Sequence, residues 1–139
     1  MKKVLILTLS LITLSAVACH DRIVTLNDLP QKSQQFLNTY FKNIGLLSAK
    51  YDDGEYEVVL KDGTKIEFSR QGEWKEVDCH TKAVPSGIVP TAISNYVKTN
   101  FPDNIIVKIE RTYNGYDIEL DNDLDLKFDK NGNEQGIDY

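Results

Sequence analysis

DGTKIEFSRQGEWKEVD, residues 62–78, returns in outline sixty residues later as NDLDLKFDKNGNEQGID, residues 122–138. In both stretches a tight turn leads into an alternating run, a glycine turn follows, and a second short run ends in Asp. Asp62-Gly63 is a strong hairpin signal, because this dipeptide readily adopts positive φ. After it, Ile66 and Phe68 share one face of a strand, and Lys65 and Glu67 share the other.

Working outward, the two halves align by adding sixty, with no gap from Leu29 to Asp78. Pro30 matches Pro90, Phe36 matches Tyr96, Phe41 matches Phe101, and Tyr56 matches Tyr116. Leu60 matches Leu120, Phe68 matches Phe128, Gly72 matches Gly132, and Asp78 matches Asp138. These are core and turn positions, where a duplicated fold must keep its chemistry.

Each half opens on a helical pattern. Asn27 or Asp28 suits an N-cap, Pro30 suits the first turn, and Leu29, Ser33, Phe36, Leu37, Tyr40 and Phe41 form one stripe. In the second half Pro90 starts the helix, Ile93, Tyr96, Val97 and Phe101 form the stripe, and Pro102 stops it. Four strands follow each helix. The first set spans residues 44–51, 56–60, 65–69 and 74–78, and the second spans 105–111, 116–120, 124–128 and 134–138.

The expected fold is therefore α+β: a tandem duplication of a helix plus a four-stranded antiparallel meander, with the helices packed on one face of the sheet. The expected organisation is a signal peptide over 1–18, a lead-in over 19–26, a first unit over 27–79, a linker over 80–88 and a second unit over 89–139. The sheet face away from the helices has no sequence left to cover it, and function is sought there or in the groove between the two units.

Bulk properties narrow the partners. The chain has 139 residues, 41% of them hydrophobic and 27% charged, with a formal net charge of −5. That balance argues against nucleic acid, whose phosphates call for a basic face. Lys2 and Lys3, the apolar run from Val4, and Ala16-Val17-Ala18 make the n-region, h-region and cleavage site of an export signal. Its removal takes away two lysines and leaves a net charge of about −7. Ser15-Ala16-Val17-Ala18-Cys19 also resembles a loose lipobox, so plain secretion and lipidation at Cys19 are both open. In an exported chain an unmodified Cys19 could also pair with Cys79.

The stretches LPQKSQQFLNTYF, YEVVLKDGTKIEFSRQGEWKEVDC, AVPSGIVPTAISNYVKTNFP and GYDIELDNDLDLKFDKNG resemble the PepSY-like, beta-lactamase-inhibitor-like family of exported proteins from Bacteroides-type bacteria. The resemblance implies tandem helix-plus-sheet units and a binding or inhibitory role, with no particular target.

Catalytic and metal chemistry find little footing. Cys79-His80 supplies at most half of a zinc site, and adjacent residues of an extended segment point to opposite faces. The Asp129–Glu134 stretch opens like a calcium loop, but Glu134 stands where such a loop needs Gly. Carboxylate pairs such as Glu57 with Glu67, or Asp117 with Glu119, lack the unequal surroundings an acid–base pair requires. No nucleophile elbow, phosphate loop or dinucleotide fingerprint occurs. The expectation is no enzyme, no metal and no cofactor.

Trp74 is the sole tryptophan, and Glu134 stands at its matching position. Strict alternation places it with Glu76 and Asp78, away from Val77, as an exposed interface anchor; the other reading is a cap on the core at a strand end. The candidate binding face comprises Trp74, Glu57, Val59, Glu67, Glu76, Tyr51 and Tyr113. The expected function is non-catalytic binding of an envelope protein or peptide, including steric inhibition of an exported protease or hydrolase. The alternative is a structural or sensory envelope lipoprotein.

Overall fold

The computed structural model describes residues 21–138. The signal peptide, lipidation at Cys19 and a Cys19–Cys79 bridge lie outside the described residues.

Among the described residues, nine strands and two short helices make up the fold. In chain order these are β1 (Arg22–Ile23), α1 (Gln31–Tyr40), β2 (Leu46–Asp52), β3 (Glu55–Leu60), β4 (Lys65–Ser69) and β5 (Trp74–Asp78). Then come α2 (Thr91–Asn100), β6 (Ile106–Arg111), β7 (Gly115–Leu120), β8 (Asp125–Asp129) and β9 (Glu134–Asp138). A 3-10 turn over Leu26–Asp28 precedes α1. The Asp28 carboxylate accepts hydrogen bonds from the Thr25 N–H and hydroxyl, each at 2.7 Å. Pro30 is the N-cap of α1, and Pro90 is the N-cap of α2.

The expected pair of four-stranded meanders, each with its own helix, is overturned. β5 pairs antiparallel with β6 through Glu76↔Glu110, Val77↔Ile109 and Asp78↔Lys108. The strands therefore form one antiparallel sheet in the order β1 to β9, and the fold is mostly β. Two separate meanders would each leave an unpaired row of N–H and C=O groups at the facing edges. Pairing β5 with β6 satisfies both rows at once. The lead-in also contributes β1, which covers part of the β2 edge through Arg22↔Tyr51 and Ile23↔Lys50.

The core lies on the side of the sheet where the helices sit. Val58, Ile66, Phe68, Val77, Ile109, Ile118, Leu120 and Leu126 are buried there. The Phe36 ring of α1 meets Phe68 edge-on at 5.6 Å, and the Tyr96 ring of α2 meets Phe128 edge-on at 5.3 Å. Such edge-to-face contacts add to the area the rings bury.

Two glycines hold the helix starts close to the sheet. Gly72 and Gly132 have φ of +89° and +83°, and they sit in the turns before β5 and β9. A Cβ on Gly72 would lie 2.7 Å from the Pro30 Cβ; one on Gly132 would lie 2.7 Å from the Ala92 Cβ. The buried Ser33 hydroxyl donates to the Gly72 carbonyl at 3.2 Å, tying α1 to that turn. Further along, the Tyr40 hydroxyl donates to the Gly87 carbonyl at 3.2 Å, joining α1 to the segment between β5 and α2.

Candidate binding face

A strand's side chains alternate between faces, so burying Val58, Ile66, Val77, Ile109 and Ile118 turns their neighbours to the opposite side. Register then lines those neighbours up across the sheet. Lys50 pairs with Glu57, Glu57 with Glu67, Glu67 with Glu76, Glu76 with Glu110, Glu110 with Asp117, and Asp117 with Lys127. Glu57, Glu67, Glu76, Glu110 and Asp117 thus form an unbroken carboxylate row across β3 to β7, with Lys50 and Lys127 at its ends.

A second row runs beside it through Val59, Lys65, Asp78, Lys108, Glu119, Asp125 and Asp138. Its lysines reach into the first. Lys65 Nζ lies 2.8 Å from Glu67 and 3.3 Å from Glu57, and Lys108 Nζ lies 3.2 Å from Glu76. Lys50 adds a contact to Glu57 at 3.4 Å, and Lys75 pairs with Glu55. The hydrogen bond to Glu67, with Glu57 close by, holds the Lys65 proton well above the ordinary lysine range. Burial works against the charge on Lys108, yet the Glu76 carboxylate outweighs it and raises its pKa.

Glu110 is placed differently. Burial, and then the charges of Glu76, Asp117 and Glu67, push its carboxyl up, with Lys108 opposing. A concavity of about 300 Å³ lies on this part of the face, lined by Lys108, Glu110, Asp117, Glu119, Lys127 and Asp138. A smaller one of about 140 Å³ is lined by Lys50, Asp52, Glu55, Glu57 and Glu67. Among the described residues no group of three or more His, Cys, Asp or Glu side chains is arranged to hold a metal ion.

Of the residues singled out from sequence, Glu57, Val59, Glu67 and Glu76 come together on this open face. Trp74 does not. It is buried on the helix side, its ring 6.3 Å from that of Phe36. A β-bulge causes the correction: Glu67 pairs with Glu76, but the next pair is Phe68 with Trp74, so Lys75 is an extra residue. The bulge breaks the alternation and puts Trp74 on the same side as Val77.

Tyr51 also lies on the helix side. It stands opposite Tyr56, ring centres 4.7 Å apart, with the Arg22 guanidinium 5.7 Å from its ring. Tyr113 is exposed in the turn between β6 and β7, off the strand face, with Lys130 Nζ 5.3 Å from its ring. Glu110, Lys65 and Lys108 were not singled out from sequence. Simple alternation marks them as outward-facing, but the places of Glu110 and Lys108 in the rows depend on the β5–β6 pairing.

Comparison with known proteins gives the family and similar folds. Residues 54–135 match the model of a family described as beta-lactamase-inhibitor-like, PepSY-like. A proposed calcium-regulated periplasmic protein of Bacteroides thetaiotaomicron is 39% identical, with a TM-score of 0.81 over 86% of this chain and 97% of that one. A proposed periplasmic protein of unknown function from Bacteroides vulgatus is 34% identical, with a TM-score of 0.83 over 86% of this chain and all of that one. A proposed periplasmic protein of the DUF2874 family, also from Bacteroides vulgatus, is 40% identical, with a TM-score of 0.82 over 88% and 99% of the two chains. No curated protein matches. Among the described residues no helix is long and apolar enough to cross a membrane. The matched span includes the strands that carry the carboxylate row, and the chain belongs to the PepSY-like family.

Proposed function

We propose that the protein is a non-catalytic periplasmic module that binds another envelope protein through the open face of its sheet, without making or breaking a bond. The observation that carries this reading is the carboxylate row from Glu57 to Asp117, fixed in register on a rigid sheet. Aligned charges of one sign favour encounter with an oppositely charged surface and disfavour like-charged ones. The partner this face fits is a protein or peptide presenting a basic segment. The periplasmic neighbours and the leader-like N-terminus support an encounter outside the cytoplasm. Steric inhibition of an exported protease or hydrolase is one form the binding could take. Acylation of Cys19 would anchor the module to the membrane, as a structural or sensory lipoprotein.

The test is capture from envelope extract on immobilised protein, beside a variant carrying Glu57→Gln, Glu67→Gln and Glu76→Gln. The reading expects a basic partner that the parent retains, that the variant releases and that salt elutes. Equal capture by both would remove the open face from the function. Adding the captured enzyme's substrate would separate inhibition from simple docking. Repeating the capture with calcium and with a chelator would show whether a divalent cation modulates the contact.

A further inference from the structure

The junction of β5 with β6, which joins the two halves of the sheet, is shorter than the hairpin pairings on either side of it. It has three paired positions, whereas β2–β3 has six and β3–β4 has five. One of the three is Glu76 opposite Glu110, and Asp117 stands opposite Glu110 on its other side. Directly opposed like charges destabilise a strand pair. The groups facing Glu110 are Lys75 and Glu76 on β5, Glu67 on β4, Lys108 on its own strand and Asp117 on β7. Lys75 is engaged by Glu55, and Lys108 by Glu76. Among the described residues neither Glu110 nor Asp117 has an ion pair within 4.0 Å.

We propose that Glu110 is a proton-operated latch on the β5–β6 junction. Ionised, it loads the seam with carboxylate repulsion, and the two strands separate more often. Protonated, it takes one charge out of the middle of the row and the seam closes. The direction follows from linkage: the folded chain holds this proton more tightly than the unfolded chain does. The stabilisation is full below the ordinary glutamate range and is lost as pH rises through the folded value. The inference concerns the monomer and needs no partner, so it stands or falls apart from the binding reading.

Backbone hydrogen exchange, corrected for the intrinsic pH dependence, measures such opening strand by strand. Between pH 7.5 and about pH 5, protection of the β5 and β6 amides is expected to rise more than about twofold, with little change at β2–β3. Glu110→Gln should show the raised protection already at pH 7.5 and lose the pH dependence. Glu119→Gln, one row away, should keep it. The unmodified protein supplies a second measurement. In a side-chain carboxyl titration by NMR, Glu110 should titrate above ordinary glutamate, and the Val77 and Ile109 amide shifts should follow the same midpoint. An ordinary or lowered midpoint, amides that do not follow it, or unchanged pH dependence in Glu110→Gln would each overturn the latch.

Discussion

The Arg111 guanidinium lies 3.8 Å from the centre of the Trp74 ring, bridging β6 and β5 on the helix side of the sheet. The opposite side of the same junction carries Glu76 and Glu110. An attractive contact on one face thus sits back to back with a repulsive pair on the other.

Trp74 is accordingly a residue of stability. Trp74→Ala should cost about 3–5 kcal/mol, the range for emptying a large buried aromatic site. Arg111→Ala should cost no more than about 1 kcal/mol, since the cation is exposed. Urea unfolding measures both, and the single tryptophan should report the loss of Arg111 as a change in emission. If Trp74→Ala unfolds at the parent's midpoint, the burial described for Trp74 is wrong.

Gly72 should resist substitution where Gly136 does not. Alanine at 72 meets both a left-handed backbone and the Pro30 Cβ, so a loss of more than about 1 kcal/mol is expected. Nothing lies within 4 Å of a Cβ at Gly136, and Gly136→Ala should stay within about 0.5 kcal/mol. Thermal melts of the two variants side by side decide this; equal effects would contradict the close approach of α1 to its turn.

The turn before β9 predicts an acid-sensitive element. The Asn133 side chain and N–H, with the Asn131 N–H, donate to the Asp129 carboxylate and lower its pKa. The folded value lies below the unfolded one. Stability from this turn is therefore present above about pH 4 and falls as pH drops through the folded value. Asp129→Asn should flatten the acid limb of a stability profile and leave the limb nearer neutrality intact. That sign is opposite to the one expected for Glu110.

Lys65 is shared between Glu57 and Glu67 and should matter more than a singly paired surface lysine. Lys65→Gln is expected to lower stability by about 1 kcal/mol in dilute buffer, and by less in about 0.5 M salt, where exposed charges are screened. Lys82→Gln, which removes only the exposed contact to Asp62, should have a smaller effect. Equal and salt-independent losses would deny the row its electrostatic character.

Local features were legible because each is decided within a few residues. Asp62-Gly63 forms its hairpin turn, with Gly63 at φ +90°, and the apolar stripe through Ser33 and Leu37 becomes the buried side of α1. What escaped depends on distant pairing or on an added residue. The β5–β6 junction is set by a strand returning after the intervening loop and helix, and no pattern in Trp74–Asp78 announces which edge will accept it. Lys75 carries no mark of being the bulged residue, so alternation places Trp74 on the wrong side. The carboxylate row inherits both difficulties: its members are ordinary outward residues until the register of five strands sets them opposite one another.

Every strand from β2 to β9 lies beside its immediate predecessor in the chain. Most of these partners are joined by tight hairpins, whose ends meet within microseconds. The excursions from Val24 to Gly45 and from Cys79 to Ile105 are the long exceptions, and the closure entropy of the second must be met before Val77 and Ile109 reward it. Assembly should thus proceed as two quick zippering events, β2 to β5 and β6 to β9, followed by the slower dockings of β1 on β2 and of β6 on β5.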